Sequence, residues 1–446
     1  MATTYLSRTS TSATLATKYT ISFWVKRVKP GADMRMFNNY VDGNASGQLY
    51  FNATDQLNLY DVSGGSSAMA LVTNRKFKDT NAFYHIVIAV DTTQNTSSDR
   101  AKIYVNGTQE TSLATSTYPS QNHSLSMQAV SASGQRRIGS HNGGGDYFDG
   151  VLSHFHFIDG LAYDASTFGE TDATTGIWKI KTTPTVTYGN NGFFLFKDNA
   201  SVTDQSSNSN DFTVTAGTLS NSIDNPSDIL STCNNLVQMD LSNGTFTATN
   251  SANKFTTNFT SKAIAGYSTL GAYKGKYYAE CKYISGAAAI FGVVRENFQA
   301  GGSSFAISNA DWGVAKGTTA YYGGSSNGSW HGDWSTNDIL GCALDIDNNR
   351  VTFSKNGQWC DGSGNWDEAN PTAWLTLTAD KTYFFAAGDN STSTNAAWEF
   401  NFGNGVFGTT SVSSAQNPSV GNTSAIFEYT VPTGFTALST KGMNSF

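Results

Sequence analysis

The chain has 446 residues, which is enough for two or three domains that each bury a core of their own. Its net charge is −7, and charged residues make up only 14% of it, against about a quarter in an average globular protein. No long basic stripe is present, and Arg136-Arg137 is only a pair, which argues against nucleic-acid binding. No apolar run reaches the roughly 18 residues of a membrane helix.

The cysteines and the first residues indicate whether the chain folds in an oxidising or a reducing compartment. The start, MATTYLSRTSTS, lacks the apolar segment of a secretory signal. Four cysteines are too few for a disulfide framework at this length, and their spacing fits no zinc pattern. We therefore expect free thiols and assembly in a reducing cytoplasm.

Strand patterns follow one another from Tyr19 to about residue 198. They read YTISFWVKR, GQLYFNA, LNLYDV, FYHIVIAVD, KIYVNG, GVLSHFHFIDG and NGFFLFKD. Asn106-Gly107 predicts a tight hairpin turn, because both central positions of a type I′ turn need positive φ. One short helix is predicted at Asp164–Phe168, with Asp164 as its N-cap and Gly169 just beyond its end.

The alternation stops at 217–235, a polar stretch that contains Pro226, and a second strand series follows. It reads GKYYAECKYI, AIFGVVREN, ILGCALDID, VTFSKNGQW, KTYFFAAGD and AAWEFNFG, with a second Asn-Gly turn at Asn356-Gly357. The predicted fold class is all-β, with two tandem antiparallel β-sandwich, jelly-roll-like domains. We place them at residues 1–218 and 236–412, with a linker at 219–235 and a C-terminal segment at 413–446 that ends in a last strand, IFEYTVPTGF.

Most of the nine tryptophans lie in the second half, and four of them occur in the loop-like sequences SWHGDW and QWCDGSGNW. An exposed indole can cover the apolar face of a sugar ring while nearby polar groups bond its hydroxyls. The alternative is that these loops fold back and bury the indoles as a satellite cluster. The predicted ligand-binding residues are Trp330, Trp334, Trp359, Trp366, His331 and Asp333.

Catalytic signatures are weak. A retaining glycosidase needs two carboxylates about 5–5.5 Å apart, and the glutamates are scattered singly. Asp345 and Asp347 share a strand face, but a hairpin turn follows them, so turn capping is the simpler interpretation. His154 and His156 could ligate a metal from one strand face, but half-buried sheet residues with hydrogen-bonded nitrogens are the simpler interpretation. We predict no catalytic residues, no enzyme activity and no required cofactor.

The first half resembles the laminin-G/concanavalin-like lectin superfamily. SFWVKR, FYHIVIAVD, KIYVNG and YFDGVLSHFHFIDGLAYDASTFG stand where that family has its main strands and short helix. His85 fits the family's second histidine, while Tyr84 replaces the first. Residues 195–214 resemble the segment that usually opens such a domain, which implies a circular permutation. The resemblance also implies calcium as a cofactor alternative, with Asp42, Asn44 and Asp146 in oxygen-rich loops as its candidates and plain turn chemistry as the other interpretation.

The second half resembles the SPRY domain, a bent β-sandwich. The match lies in Gly275–Glu280, Ala289–Val294, Asn337–Gln358 and Asn401–Gly403. The pairing of the two domain types, with the ending FEYTVPTGFTALSTKG, resembles structural proteins of tailed phages of marine bacteria.

The phage resemblance implies a non-enzymatic virion protein in an exposed appendage: a tail fibre, tail spike or capsid fibre. Its partners would be a host-surface glycan or receptor and other virion proteins, without nucleic acid or membrane insertion. The alternatives are a structural adaptor or capsid decoration protein, or a glycan depolymerase. A single shallow sugar site binds weakly, so we expect a homo-oligomer, associating through Met1–Lys18 or the strand at Ile426–Phe435.

Overall fold

The computed structural model describes residues 3–130, 135–142, 144–198, 200–234, 244–249, 253–259, 265–296, 311–323, 325–389 and 394–446. The chain divides into two compact units, Met1–Ser227 and Asp228–Phe446, called here the N-terminal and the C-terminal unit. The division lies inside the stretch 219–235. The finer domain ranges and the circular permutation stay predictions.

The described part of the N-terminal unit contains short 3₁₀ helices at Ser97–Asp99, Ser126–Gln128 and Ala165–Thr167 beside its strands. The strands are β1 (Tyr5–Thr9), β2 (Lys18–Arg27), β3 (Met34–Asp42), β4 (Ala45–Phe51), β5 (Gln56–Ser63), β6 (Ser66–Lys76), β7 (Tyr84–Asp91), β8 (Ala101–Val105), β9 (Thr108–Gln109), β10 (Leu113–Thr117), β11 (Gln135–Ile138), β12 (Gly150–Asp159), β13 (Gly169–Thr171), β14 (Trp178–Ile180), β15 (Phe193–Leu195) and β16 (Thr213–Ala216).

These strands form an eight-stranded sheet in the order β10-β6-β5-β4-β3-β11-β1-β16, and a six-stranded sheet in the order β15-β12-β2-β7-β8-β9. Alternate apolar residues of both sheets, such as Phe23, Phe37 and Phe155, are fully buried in one shared core. The ends of the segment 195–214 fall on different sheets, because β15 pairs with β12 and β16 pairs with β1.

Two local predictions for this unit are confirmed. Asn106 and Gly107 have φ of 48° and 82°, the positive values of a type I′ turn between β8 and β9. Asp164 caps the 3₁₀ helix at Ala165–Thr167, where its Oδ1 accepts the backbone N–H of Ser166 at 3.0 Å.

The described part of the C-terminal unit contains one short helix, α1 (Thr440–Met443), and a second series of strands. The strands are β17 (Gly244–Thr249), β18 (Lys254–Phe259), β19 (Ala265–Tyr267), β20 (Lys276–Ser285), β21 (Ala289–Arg295), β22 (Asp311–Ala315), β23 (Thr319–Tyr322), β24 (Ser325–Ser329), β25 (Ile339–Asp345), β26 (Arg350–Lys355), β27 (Gln358–Cys360), β28 (Trp366–Glu368), β29 (Leu375–Thr376), β30 (Tyr383–Asp389), β31 (Ala397–Asn401), β32 (Val406–Phe407), β33 (Thr410–Ser411) and β34 (Thr436–Ala437).

One sheet of this unit runs β17-β18-β31-β20-β25-β26-β27-β28, and a six-stranded sheet runs β19-β30-β21-β22-β23-β24. Among the described strands of this unit, pairing is antiparallel except between β20 and β34. Asn356 and Gly357 have φ of 50° and 82° in the turn between β26 and β27, so the second Asn-Gly hairpin is confirmed. The all-β antiparallel fold class is confirmed for both units.

The two segments proposed for association are partly buried, and association through them stays a prediction. Ile426–Phe435 has only single bridges at Ile426 and Phe427 instead of a strand, and Phe427 and Phe435 are buried. In the stretch Met1–Lys18, β1 is paired on both sides, with β11 and with β16. Part of each segment therefore packs within its own unit, while Leu15 in the first one is 47% exposed.

Two smaller observations complete the fold. All four cysteines are buried and have free thiols. Among the residues that the structure describes, no helix has the length and apolar character needed to cross a membrane.

Candidate functional site

An open cleft of about 400 Å³ lies in the N-terminal unit beside β1 and the edge strand β16. Its volume is within the range of about 300–1,000 Å³ that is usual for small-molecule sites. We call it the first cleft. It is lined by Ser7, Arg8, Thr9, Gln135, Ser209, Asp211 and Thr213.

A second cleft, of about 740 Å³, opens between the end of β1 and the turn that precedes β15. Its polar lining is again made of hydroxyls and amides, and half-buried Tyr188 adds an aromatic ring. The polar residues that line it are Thr11, Thr187, Tyr188, Asn190, Ser207 and Asn208.

The segment 207–213 contributes to both clefts, and its side chains alternate between solvent and interior. The buried residues between the exposed ones are Asn210 and Phe212. The backbone is not a strand over this length, because residues 207 and 208 form a turn, Ser209 has a φ of 56° and β16 begins only at Thr213. The exposed residues are Ser207, Ser209, Asp211 and Thr213.

Amide side chains fix this segment to the turn below it. Asn210 Nδ2 donates to the carbonyls of Asn190 at 2.9 Å and Gly192 at 2.7 Å. Asn208 Nδ2 donates to the carbonyls of Gly189 at 2.5 Å and Gly192 at 3.0 Å. These bonds hold the cleft wall in one geometry before any ligand arrives, which lowers the entropic cost of binding.

Arg8 and Asn191 anchor the opposite wall. Arg8 Nη2 donates to Oδ1 of Asn210 at 2.6 Å, so its guanidinium bridges the two walls of the first cleft. Asn191 Oδ1 accepts the backbone N–H of Thr11 at 2.8 Å, and its Nδ2 donates to the Thr11 carbonyl at 2.8 Å. Burial lowers the pKa of Arg8, an effect that the nearby carboxylates of Asp204 and Asp211 oppose.

The chemistry of these clefts is that of hydrogen bonding. Asp211 is the one carboxylate among the residues lining the two clefts. The nearby Asp204 is buried, and it accepts the backbone N–H groups of Phe194, Ser206 and Asn210. A paired acid and base of the glycosidase type is therefore not assembled among the described lining residues.

The predicted tryptophan site folds differently from the expectation. Trp330, Trp334 and Trp359 are buried, with exposed fractions of 5%, 2% and 4%, whereas the hypothesis was that the four loop indoles include exposed ones. Only Trp366 is half-buried. Whether these residues bind a ligand stays a prediction.

Trp334 and Trp366 form a satellite cluster around His331, the alternative interpretation, while Trp330 packs on Phe353 and Trp359 on Tyr278. His331 is fully buried, with its ring centroid 5.4 Å from that of Trp334 and 5.0 Å from that of Trp366. In the folded-back loop, Asp333, itself exposed, binds the ammonium of Lys316 at 2.8 Å and the backbone N–H of Trp334 at 2.8 Å. The folded-back loop removes the large apolar area of the Trp334 indole from water, which stabilises this conformation.

The calcium candidates are occupied by turn and ion-pair chemistry. Asp42 Oδ1 accepts the backbone N–H of Asn44 at 2.7 Å, and Asp146 pairs with Arg35 at 3.2 Å. Within the described residues, no group of three or more His, Cys, Asp or Glu is placed to hold a metal ion. A calcium requirement stays untested.

The carboxylates and histidines considered for chemistry have structural partners. Asp345 is buried against Arg350 at 2.9 Å, and Asp347 accepts the backbone N–H of Gly275. A bulge in β12 gives His154 a φ of 48°, and His156 Nδ1 lies 2.9 Å from the Tyr188 hydroxyl. Turn capping and sheet packing account for these residues.

The alternating polar residues at 206–211 are a sequence signal for the clefts. In SSNSND, residues 206–211, hydroxyl and amide side chains alternate, and the inward asparagines are those that brace the wall. The segment was interpreted only as a displaced opening strand, because polar residues at 201–211 resemble an ordinary loop.

One comparison with known protein families gives a match within the N-terminal unit. Residues 2–163 match the family Laminin_G_3, described as the concanavalin A-like lectin/glucanases superfamily. Comparison with curated proteins gives no significant match.

Three solved structures illustrate the partial likeness to β-sandwich proteins. The SPRY domain of human HERC1 shares 15% identity over 33% of this chain and 87% of its own, with a TM-score of 0.26. A SAP-like pentraxin from Limulus polyphemus shares 16% identity over 36% of this chain and 72% of its own, with a TM-score of 0.28. The TRIM65 PSpry domain shares 10% identity over 38% of this chain and 88% of its own, with a TM-score of 0.29. These scores support no functional inference. Residues 2–163, which are most of the N-terminal unit, thus match the concanavalin A-like lectin/glucanase superfamily, and the antiparallel all-β fold agrees with that match.

Proposed function

We propose that the protein is a non-enzymatic component of an exposed phage appendage that binds neutral glycans of the host surface. The observation that carries the binding part is the lining of the first cleft by hydroxyl and amide side chains on a braced wall. Sugar hydroxyls pair with such groups as both donors and acceptors. The phage assignment rests on the resemblance of the domain pairing and the C-terminal sequence.

The composition supports a neutral ligand. Charged residues make up 14% of the chain, and the first cleft has one cation, Arg8, against one anion, Asp211. Such a balance attracts neither phosphates nor polyanions strongly. The scarcity of carboxylates in the lining supports binding without turnover.

The open, shallow form of the clefts supports weak binding at each site. Many copies on one particle would convert weak binding into strong attachment. We propose that the copies associate through Met1–Lys18 or Ile426–Phe435, and that binding needs no metal.

A neutral-glycan array followed by calorimetry on the full chain tests the proposal. Thr213 is exposed on edge strand β16, so Thr213→Trp should fill the first cleft and lower affinity at least about tenfold, a loss of about 1.4 kcal/mol. Thr115→Trp, on the opposite edge strand β10, is the matched control and should bind normally. Chelation with EDTA should change nothing.

Three results would reject parts of the proposal. Absence of any glycan binding, together with a stable contact to another virion protein, would favour the adaptor or decoration role. Release of oligosaccharides from a bound polysaccharide would establish a depolymerase. Failure to detect the protein in purified virions by mass spectrometry would remove the appendage assignment.

A further inference from the structure

We propose that the glycan is a linear chain of several sugar units that lies along segment 207–213 and occupies both clefts at once. This inference rests on the proposed function and adds the length and path of the ligand. It is argued from the shared walls of the two clefts, their different chemistry and the rigidity of the segment between them.

The two clefts have the same two walls. Along the first wall, Thr9 lines the first cleft and Thr11 the second. Along the other wall, Ser207 and Asn208 line the second cleft, and Ser209 lines the first. The clefts therefore succeed one another along both segments, which is the arrangement that an extended ligand needs.

Exposed polar groups continue along the segment from one cleft to the other. Ser207, Ser209, Asp211 and Thr213 are exposed at every second position, although the backbone turns at residues 207 and 208 and Ser209 has a φ of 56°. Each can donate or accept a hydrogen bond, except that ionised Asp211 only accepts. A row of similar polar groups suits a polymer with a repeating row of hydroxyls better than it suits a compact ligand.

The two clefts offer complementary contacts. The second cleft is lined by Tyr188 and Val186, which are half-buried against the unit's interior, and the Tyr188 hydroxyl lies 2.9 Å from His156 Nδ1. An oriented aromatic ring can cover the apolar face of one sugar unit. The first cleft contributes hydrogen bonds from Arg8, Gln135 and the hydroxyls. Neither the contacts of the first cleft nor those of the second hold a monosaccharide firmly, but an oligosaccharide can use both sets of contacts.

The segment is fixed at both ends of the path. Asn208 and Asn210 donate to the turn at 189–192, and Arg8 bridges Asn210 to the opposite wall. The relative position of the clefts is therefore set before binding. A second sugar unit then binds without the entropic cost of bringing the two sites together, so affinity should rise with chain length.

The test uses the full chain and ladders of neutral oligosaccharides, one to six units long, built from glucose, galactose, mannose or N-acetylglucosamine. In the unmodified protein, affinity for the preferred ladder should rise at least about tenfold from one unit to four. Ser207→Trp should block the second cleft and reduce this gain to below about threefold, while leaving binding of the single unit in the first cleft. Thr213→Trp should lose the gain as well.

Thr115→Trp is again the control, and Thr187→Trp, exposed in the second cleft, replaces Ser207→Trp if that variant does not fold. Equal affinity for one unit and for six, or a length gain that survives both second-cleft variants, would overturn the extended path but leave glycan binding intact. If no ladder binds, the proposed function fails and the extended path fails with it.

Discussion

The indole N–H of Trp178 donates to Nδ1 of His85 at 2.9 Å, inside the N-terminal unit. Because an indole can only donate, Nδ1 of His85 must accept, and its proton lies on Nε2, 3.0 Å from the Ser22 hydroxyl. The ring also stacks on Trp24, with centroids 4.8 Å apart. His85 is therefore held neutral, and burial lowers its pKa to about 3.

This arrangement predicts that acid destabilises the N-terminal unit. A histidine whose pKa is lowered by folding binds more protons when unfolded, so its contribution to stability is lost as pH falls below the unfolded value of about 6.5. His156, which is also buried, has its pKa lowered in the same direction. Each such group should contribute a slope of up to about 1.4 kcal/mol per pH unit between pH 6 and pH 4.

Denaturant unfolding of the full chain at several pH values measures this slope. Glu280 of the C-terminal unit acts in the opposite direction, since burial raises its pKa to about 7, so the slopes of variants must be compared. The slope for His85→Gln should be shallower than that of the unmodified chain. Parallel curves for the two proteins would contradict a neutral buried His85.

A second prediction concerns the packing of the same indole. A methyl group added at Gly169 would approach Trp178 to 2.5 Å, whereas one added at Gly43 meets nothing within 4 Å. Neither glycine has a positive φ, so the two sites differ mainly in available space. Gly169→Ala should cost about 1–3 kcal/mol of unfolding free energy and Gly43→Ala less than about 0.5. Equal effects, measured by thermal or urea unfolding, would show that Trp178 is free to move.

The features that local sequence predicts correctly are those that local physics determines. Asn106-Gly107 and Asn356-Gly357 turn the chain because few other residue pairs adopt two successive positive φ values. Asp164 caps its helix for a similar reason, since its carboxylate reaches a backbone N–H two residues away. No distant part of the chain is needed for either outcome.

The candidate site depends instead on distant contacts. Arg8 meets Asn210 across 202 positions of sequence, and the polar sequence of 207–213 gives no sign that β1 lies beside it. The sequence left open whether Trp330 and Trp334 are exposed or buried for the same reason. Gly- and Ser-rich sequence allows a loop to fold back, and in the structure Trp334 then packs against Tyr283 of β20.

The burial of the tryptophan cluster gives a third prediction. Trp334→Ala should destabilise the C-terminal unit by about 3–5 kcal/mol, because it removes a buried indole that packs on His331 and Tyr283. Tyr273, which is 68% exposed, is the control, and Tyr273→Ala should cost less than about 0.5 kcal/mol. Neither variant should change glycan affinity at the first cleft. Loss of glycan binding by a stably folded Trp334→Ala variant would restore the tryptophan site.

The last prediction concerns the carboxylate that holds the C-terminal segment. Glu280 on β20 is fully buried, and its two oxygens accept the backbone N–H groups of Glu428 and Tyr429, each at 2.8 Å. The amide of Asn401 adds a third bond at 3.1 Å. A glutamine here would turn an N–H₂ group toward a backbone N–H, leaving a buried donor without an acceptor.

Above about pH 8, where Glu280 is ionised because its pKa is about 7, Glu280→Gln should therefore cost about 2–3 kcal/mol although the side chain keeps its shape. Because the lost bonds lie at residues 428 and 429, the segment after Phe407 should become sensitive to limited proteolysis before the rest of the unit unfolds. Glu368→Gln, at a half-buried position on β28, is the matched control and should leave both stability and cleavage unchanged. If Glu280→Gln is as stable and as resistant as this control, the carboxylate does not hold the segment, and the apolar contacts of Phe427 and Phe435 hold it instead.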